Sequence, residues 1–112
     1  MANKYLEKIT ELLNQTRPRL AIEHHLEFKN VFGAIGGYVH GRIFMSCGKF
    51  GVALRLPPEI LDELFREKDV NRLKYFPKGH IKKEYAVLPK RILDDQHRLR
   101  KLVDESIKHV LL

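Results

Sequence analysis

The sequence predicts an α+β fold in two layers: one antiparallel sheet of about six strands, with helices at the N-terminus, in the middle and at the C-terminus, in the order α-β4-α-β2-α. Three observations predict it. The first and last segments repeat apolar residues at helical spacing, the centre breaks into short strand-like runs separated by glycines, and a Pro-Pro pair with a second helical stripe divides four of those runs from two more. With 112 residues, 44% hydrophobic and 31% charged, the chain suits a single domain, 1–112, with a packed core.

The first helix is expected from about Ala2 to Gln15, where Tyr5, Leu6, Ile9, Leu12 and Leu13 share a face and Pro18 stops propagation. In LAIEHHLEFK the period changes to two, so Leu20–Lys29 is expected as a half-buried strand with His24 on its apolar side, a core histidine with a satisfied hydrogen bond. AIGGYV, RIFMSC and GVALRL follow as strands. His40-Gly41 fits a two-residue hairpin turn, which needs positive φ at both positions, and Cys47–Gly51 fits a looser connection.

Pro57 and Pro58 open the middle helix, because proline has no N–H to leave unpaired in a first turn, and Ile60, Leu61, Leu64 and Phe65 form its buried stripe. LKYF and EYAVL read as the last two strands, divided by the polar PKGHIKK. Asp94 and Asp95 are candidate caps for a final amphipathic helix carrying Leu99, Leu102, Val103, Ile107, Val110 and Leu111.

Phe32-Gly33 with Gly36 and Gly37, Gly41 before Phe44, the run VALRLPPE, Phe76-Pro77, and KKEYAVLP followed by ILDD together resemble the N-terminal domain of the TfoX (Sxy) family, over nearly the whole chain. The resemblance implies a fold similar to YgaC-like and secretion-chaperone-like domains. It also implies kinship with regulators of natural competence, in a stand-alone form, since the chain ends at Leu112 where a helical C-terminal domain would begin. PKGHIKKEY departs from the family pattern, with Lys78 and His80 where a methionine and an arginine are expected. The resemblance brings no catalytic residues with it.

Chemistry-bearing motifs are sparse. FGAIGGYVHG is glycine-rich, but its glycines do not fit G-x-G-x-x-G, Arg42-Ile43 stands where a P-loop has Lys and Ser/Thr, and a strand follows where a phosphate needs a helix N-terminus. Gly36 and Gly37 therefore read as a bulge or a close backbone approach. No HExxH or Cys-x-x-Cys is present, and His24 and His25 on a strand would diverge, so no metal or other cofactor is expected. No nucleophile, base and oxyanion stabiliser can be named together for Ser46 or Cys47, so the chain reads as non-enzymatic. The lone Cys47 suits a reducing compartment, and the charged N-terminus MANKYLEKITELLNQ is neither a signal peptide nor a span, so the expectation is a cytoplasmic protein without a membrane partner.

Charge is the remaining signal. Twelve basic and five acidic residues lie between Arg66 and Lys101, so the whole net charge of +7 arises there. Lys74, Lys78, His80, Lys82, Lys83, Lys90 and Arg91 are the candidate binding residues, the first five interleaved with Tyr75 and Phe76. The plain reading is a solvated basic face, with one of the two rings in the core. Two functions are set against each other: a regulator or adaptor working through protein–protein contact, with sheet edges that would also pair into a homodimer, and a nucleic-acid-associated regulator holding phosphates with the basic segment; an unidentified small-molecule enzyme is a third reading with no motif behind it.

Overall fold

A computed structural model describes residues 3–112. Its elements are α1 (Lys4–Thr16), α2 (Leu20–Glu23), β1 (Leu26–Val31), β2 (Ala34–Val39), β3 (Arg42–Gly48), β4 (Gly51–Arg55), α3 (Pro58–Leu64), β5 (Asn71–Leu73), β6 (Lys82–Leu88), α4 (Lys90–Leu93) and α5 (Gln96–Leu111). The six strands form one antiparallel sheet in the order β1-β2-β3-β4-β6-β5. The expected fold class is present, with two one-turn helices added. Residue 2, the expected start of the first helix, lies outside the described residues.

The strands divide their side chains between two unequal cores, as a period of two requires. Val52, Leu54, Ala86 and Leu88 face a large core with Ile9, Leu12, Leu13, Leu99, Val103 and Ile107 from α1 and α5. Ala53, Leu73, Tyr85 and Val87 face the other way and form a smaller core with Ile43, Phe50 and Tyr75. Asn3 caps α1 by accepting from the Tyr5 and Leu6 amides at 2.9 and 3.2 Å, and Asp95 caps α5 by accepting from the Arg98 amide at 3.1 Å. Asp94 instead ends α4 and pairs with Lys90 at 2.6 Å. Among the described residues no helix is long and apolar enough to cross a membrane.

The glycine-rich hairpin explains how the helices dock. Gly37 pairs with Met45 and Tyr38 with Ile43, so Phe44 bulges out of register. A Cβ on Gly37 would lie 3.3 Å from Ile9 Cδ1 and 3.4 Å from the Phe44 ring, so its absence lets α1 and Phe44 meet against bare strand backbone. The Phe44 carbonyl accepts a 2.7 Å hydrogen bond from the buried Ser106 hydroxyl of α5. At the tip, His40 and Gly41 have φ of 49° and 79°, the expected turn.

Two strand expectations are corrected. Leu20–Glu23 is a helical turn: Leu20 is buried, whereas Ile22 is 76% exposed. A helix sends residues two apart to opposite sides, and this one lets Glu23 meet Arg17 at 3.2 Å while Arg17 holds Asp104 of α5 at 2.7 Å. His24 accordingly caps the turn, half-exposed, and its partner is the ring of His40 rather than a core group. In LKYF only Leu73 belongs to a strand. Among the described residues the sheet has no helix on that face, and the chain leaves β5 so that Tyr75 covers the smaller core and donates from its hydroxyl to Ser46 Oγ at 3.0 Å. The Lys49-Phe50 connection is also tighter than expected, with Gly48 paired directly to Gly51.

Charge closes the far end of the sheet. Glu67, in the segment between α3 and β5, accepts from Arg98 of α5 at both carboxylate oxygens and from Arg91 of α4 at 2.9 Å, while Arg91 also meets Asp69 at 2.5 Å. The Arg98 hydrogen bonds outweigh the opposing effect of burial and hold the Glu67 carboxyl below the usual carboxylate range.

Ser106→Ala should cost about 1 kcal/mol in chemical denaturation, because it removes a buried hydrogen bond to the Phe44 carbonyl; a cost below about 0.5 kcal/mol would show that the bulge does not depend on it. A carboxyl depressed in the folded state stabilises above its unfolded value and loses that contribution as pH falls through its folded value. Glu67→Gln should therefore be less stable than wild type at neutral pH, with the gap closing as pH falls below about 4. A gap constant to the lowest pH at which the fold survives would contradict this.

Candidate interaction surface

Three hairpin features converge at one end of the sheet. The β1–β2 turn contributes Phe32, the β3–β4 turn contributes Lys49 and Phe50, and the β5–β6 connection folds back across the helix-free face to bring Tyr75, Phe76 and Pro77 there. Tyr5 of α1 completes a cleft of about 540 Å³. The Phe32 ring centroid lies 5.4 Å from that of Tyr75 and 5.8 Å from that of Phe76, and Phe50 meets Tyr75 edge-on at 5.5 Å, within the range of favourable aromatic pairs. Tyr75 is half-buried and its phenol is pushed up by that burial, so it stays protonated and anchors the connection.

The outer rings are unusual. Phe32 is 63% exposed and Phe76 54% exposed, so each leaves much of an apolar face in water. Phe32 also has φ of 49°, in the left-handed region, at a turn position that favours Asn, Asp or Gly. Its residue type therefore opposes both the local backbone preference and solvation. The lining carries two lysines, Lys49 and Lys74, and no carboxylate among the described residues.

The seven basic candidates fall into two groups. Lys74, Lys78 and His80 lie on the folded-back connection, Lys82 and Lys83 begin β6, and all five are exposed. Lys90 and Arg91 follow the end of β6, a strand that separates them from Lys83 by roughly 20 Å. Lys90 is paired with Asp94, and Arg91 with Glu67 and Asp69. Arg91 thus ties α4 to the segment before β5.

Phe32, Phe50, Tyr5 and Lys49 were absent from the sequence-derived set. A phenylalanine directly before a turn glycine, where Asn or Asp is the favoured residue, is a signal that could have found Phe32 and Phe50, while nothing local marks Tyr5 or Lys49. Other groups are disposed differently. Cys47 is buried in the large core, and burial raises its thiol pKa, which keeps it protonated and unreactive. Among the described residues no three His, Cys, Asp or Glu side chains are grouped to hold a metal ion. A wider groove along α5, about 1250 Å³, mixes Arg19, Lys101 and Lys108 with Glu23, Glu59 and Glu105 and so favours neither sign of charge.

No curated protein matches the chain. The family model described as the TfoX N-terminal domain matches residues 19–110, from the residue before α2 to the last turn of α5. The match includes the glycine-rich hairpin, the Pro-Pro helix and the β6 run, the residues on which the resemblance rested. The chain belongs to the TfoX N-terminal domain family.

Proposed function

We propose that this domain is a non-enzymatic regulatory or adaptor module that works through protein–protein contact, with the aromatic cleft as its docking surface. The observation that supports this is Phe32, held in a left-handed turn position with its ring mostly in water beside Tyr75 and Phe76. Strain combined with exposure costs stability and contributes nothing to the core. The partner suited to this surface is a segment with an apolar or aromatic anchor flanked by carboxylates, because the anchor fills the cleft while the acids meet Lys49 and Lys74. Family membership supports a regulatory rather than a catalytic role.

A second reading has its own support. Exposed rings beside Lys74, with Lys78 exposed on the same connection and Lys82 and Lys83 exposed at the start of β6, would also suit a single-stranded nucleic acid, with bases on the rings and phosphates on the lysines. The two readings separate by salt and by residue. Homodimerisation by strand pairing, a third arrangement, would use the outer edge of β1, where Glu27 and Lys29 stand.

Phe32→Asn gives the decisive variant, since Asn suits the turn and deletes the ring. It should leave thermal stability equal or higher, while Phe32→Asn with Phe76→Ser should weaken capture of protein partners from nuclease-treated lysate at least tenfold, as loss of an aromatic anchor costing about 2 kcal/mol would. Capture unchanged by the double substitution would refute cleft docking. In the nucleic-acid reading, a labelled single-stranded oligonucleotide should bind with steep salt dependence and be lost on Lys82→Glu with Lys83→Glu. Absent or salt-independent binding removes that reading.

A further inference from the structure

At the end of the sheet opposite the aromatic cleft, two histidines from different elements face each other. His24 follows α2 as its cap, and His40 is the first turn residue between β2 and β3. His24 Nδ1 and His40 Nε2 are 3.3 Å apart, with the rings nearly perpendicular. Both backbones are fixed, because the His24 amide donates to the Leu20 carbonyl and the His40 amide donates to the His25 carbonyl, each at 2.9 Å. His25 is not part of the pair, since its Nε2 lies 2.6 Å from Glu27 Oε1.

We propose that His24 and His40 form an open two-histidine site for a divalent transition-metal ion, with Zn²⁺ as the representative case. Zinc–imidazole bonds are about 2.0–2.1 Å, so two nitrogens 3.3 Å apart subtend an angle of roughly 107° at the ion, close to the tetrahedral value. The separation thus fits both an N–H···N hydrogen bond and a shared metal. Binding replaces the proton between the rings: the neutral imidazole that donates it carries its proton on the other ring nitrogen instead, so no net proton need be lost. Imidazole pairs suit Zn²⁺, Cu²⁺ and Ni²⁺ rather than Mg²⁺ or Ca²⁺. The remaining coordination positions go to water or to a ligand from another molecule. The bound ion would also clip the α2–β1 connection to the β2–β3 turn, which ties the site to the stability of the hairpin.

The test uses the untagged chain with Zn²⁺ by calorimetry and with Co²⁺ as a visible probe of coordination geometry. One ion should bind per chain, Co²⁺ should show the intense bands of tetrahedral coordination, and Zn²⁺ should raise the melting temperature. His24→Ala, or His40→Asn, which keeps a residue suited to the turn, should each weaken binding at least tenfold, while His25→Ala leaves it unchanged. No binding by wild type, or binding lost equally on His25→Ala, overturns the assignment. So does binding that survives both substitutions in variants whose circular dichroism shows them folded.

Discussion

A bulge leaves a residue without a partner across the ladder, and here that residue is Phe44, whose buried carbonyl accepts a hydrogen bond from outside the sheet. Ser106 supplies the donor from the middle of α5. One hydroxyl therefore fixes the rotation of the last helix against the sheet, and with it the positions of Leu99, Val103 and Ile107 in the large core. Gly37 completes the arrangement from the other side by letting Ile9 and the Phe44 ring approach bare backbone. The glycines that resemble a phosphate cradle in the sequence are instead where helix, bulge and strand come closest.

With the main helices committed to one face, the other has to be covered by what remains. The β5–β6 connection does this: Tyr75 crosses to Ser46 and closes the smaller core over Leu73, Tyr85 and Val87. The same crossing delivers Phe76 to the hairpin end, next to Phe32. The covering of a core and the construction of an exposed aromatic surface are consequences of one path of the chain. The basic residues follow that path, which is why Lys74 edges the cleft while Arg91, beyond β6, serves the Glu67 ion-pair cluster.

What was legible in the sequence was local chemistry. The His40-Gly41 turn, the Pro-Pro helix start, the Asp95 cap and the apolar stripe of α5 each depend on residues within a few positions of one another. Leu20–Glu23 misled because Leu20 and Ile22, two positions apart, fit one face of a strand, whereas the helical turn is accompanied by the contacts of Arg17 with Glu23 and with Asp104, the latter 87 residues away. Tyr75 escaped for a related reason, since Ser46 lies 29 residues earlier and no periodicity encodes that contact. Phe32 was visible as part of a glycine turn, but not as an exposed ring, because its significance depends on Tyr75 and Phe76 arriving from the far edge of the sheet.

Hydrogen-exchange mass spectrometry of the chain alone and with a captured partner measures directly where the domain is engaged. The account predicts added protection confined to the segments around Phe32-Gly33, Lys49-Phe50 and Lys74–Lys78, with α5 and the outer edge of β1 unchanged. Protection along β1 or across the α5 groove, with those three segments unaffected, would contradict it.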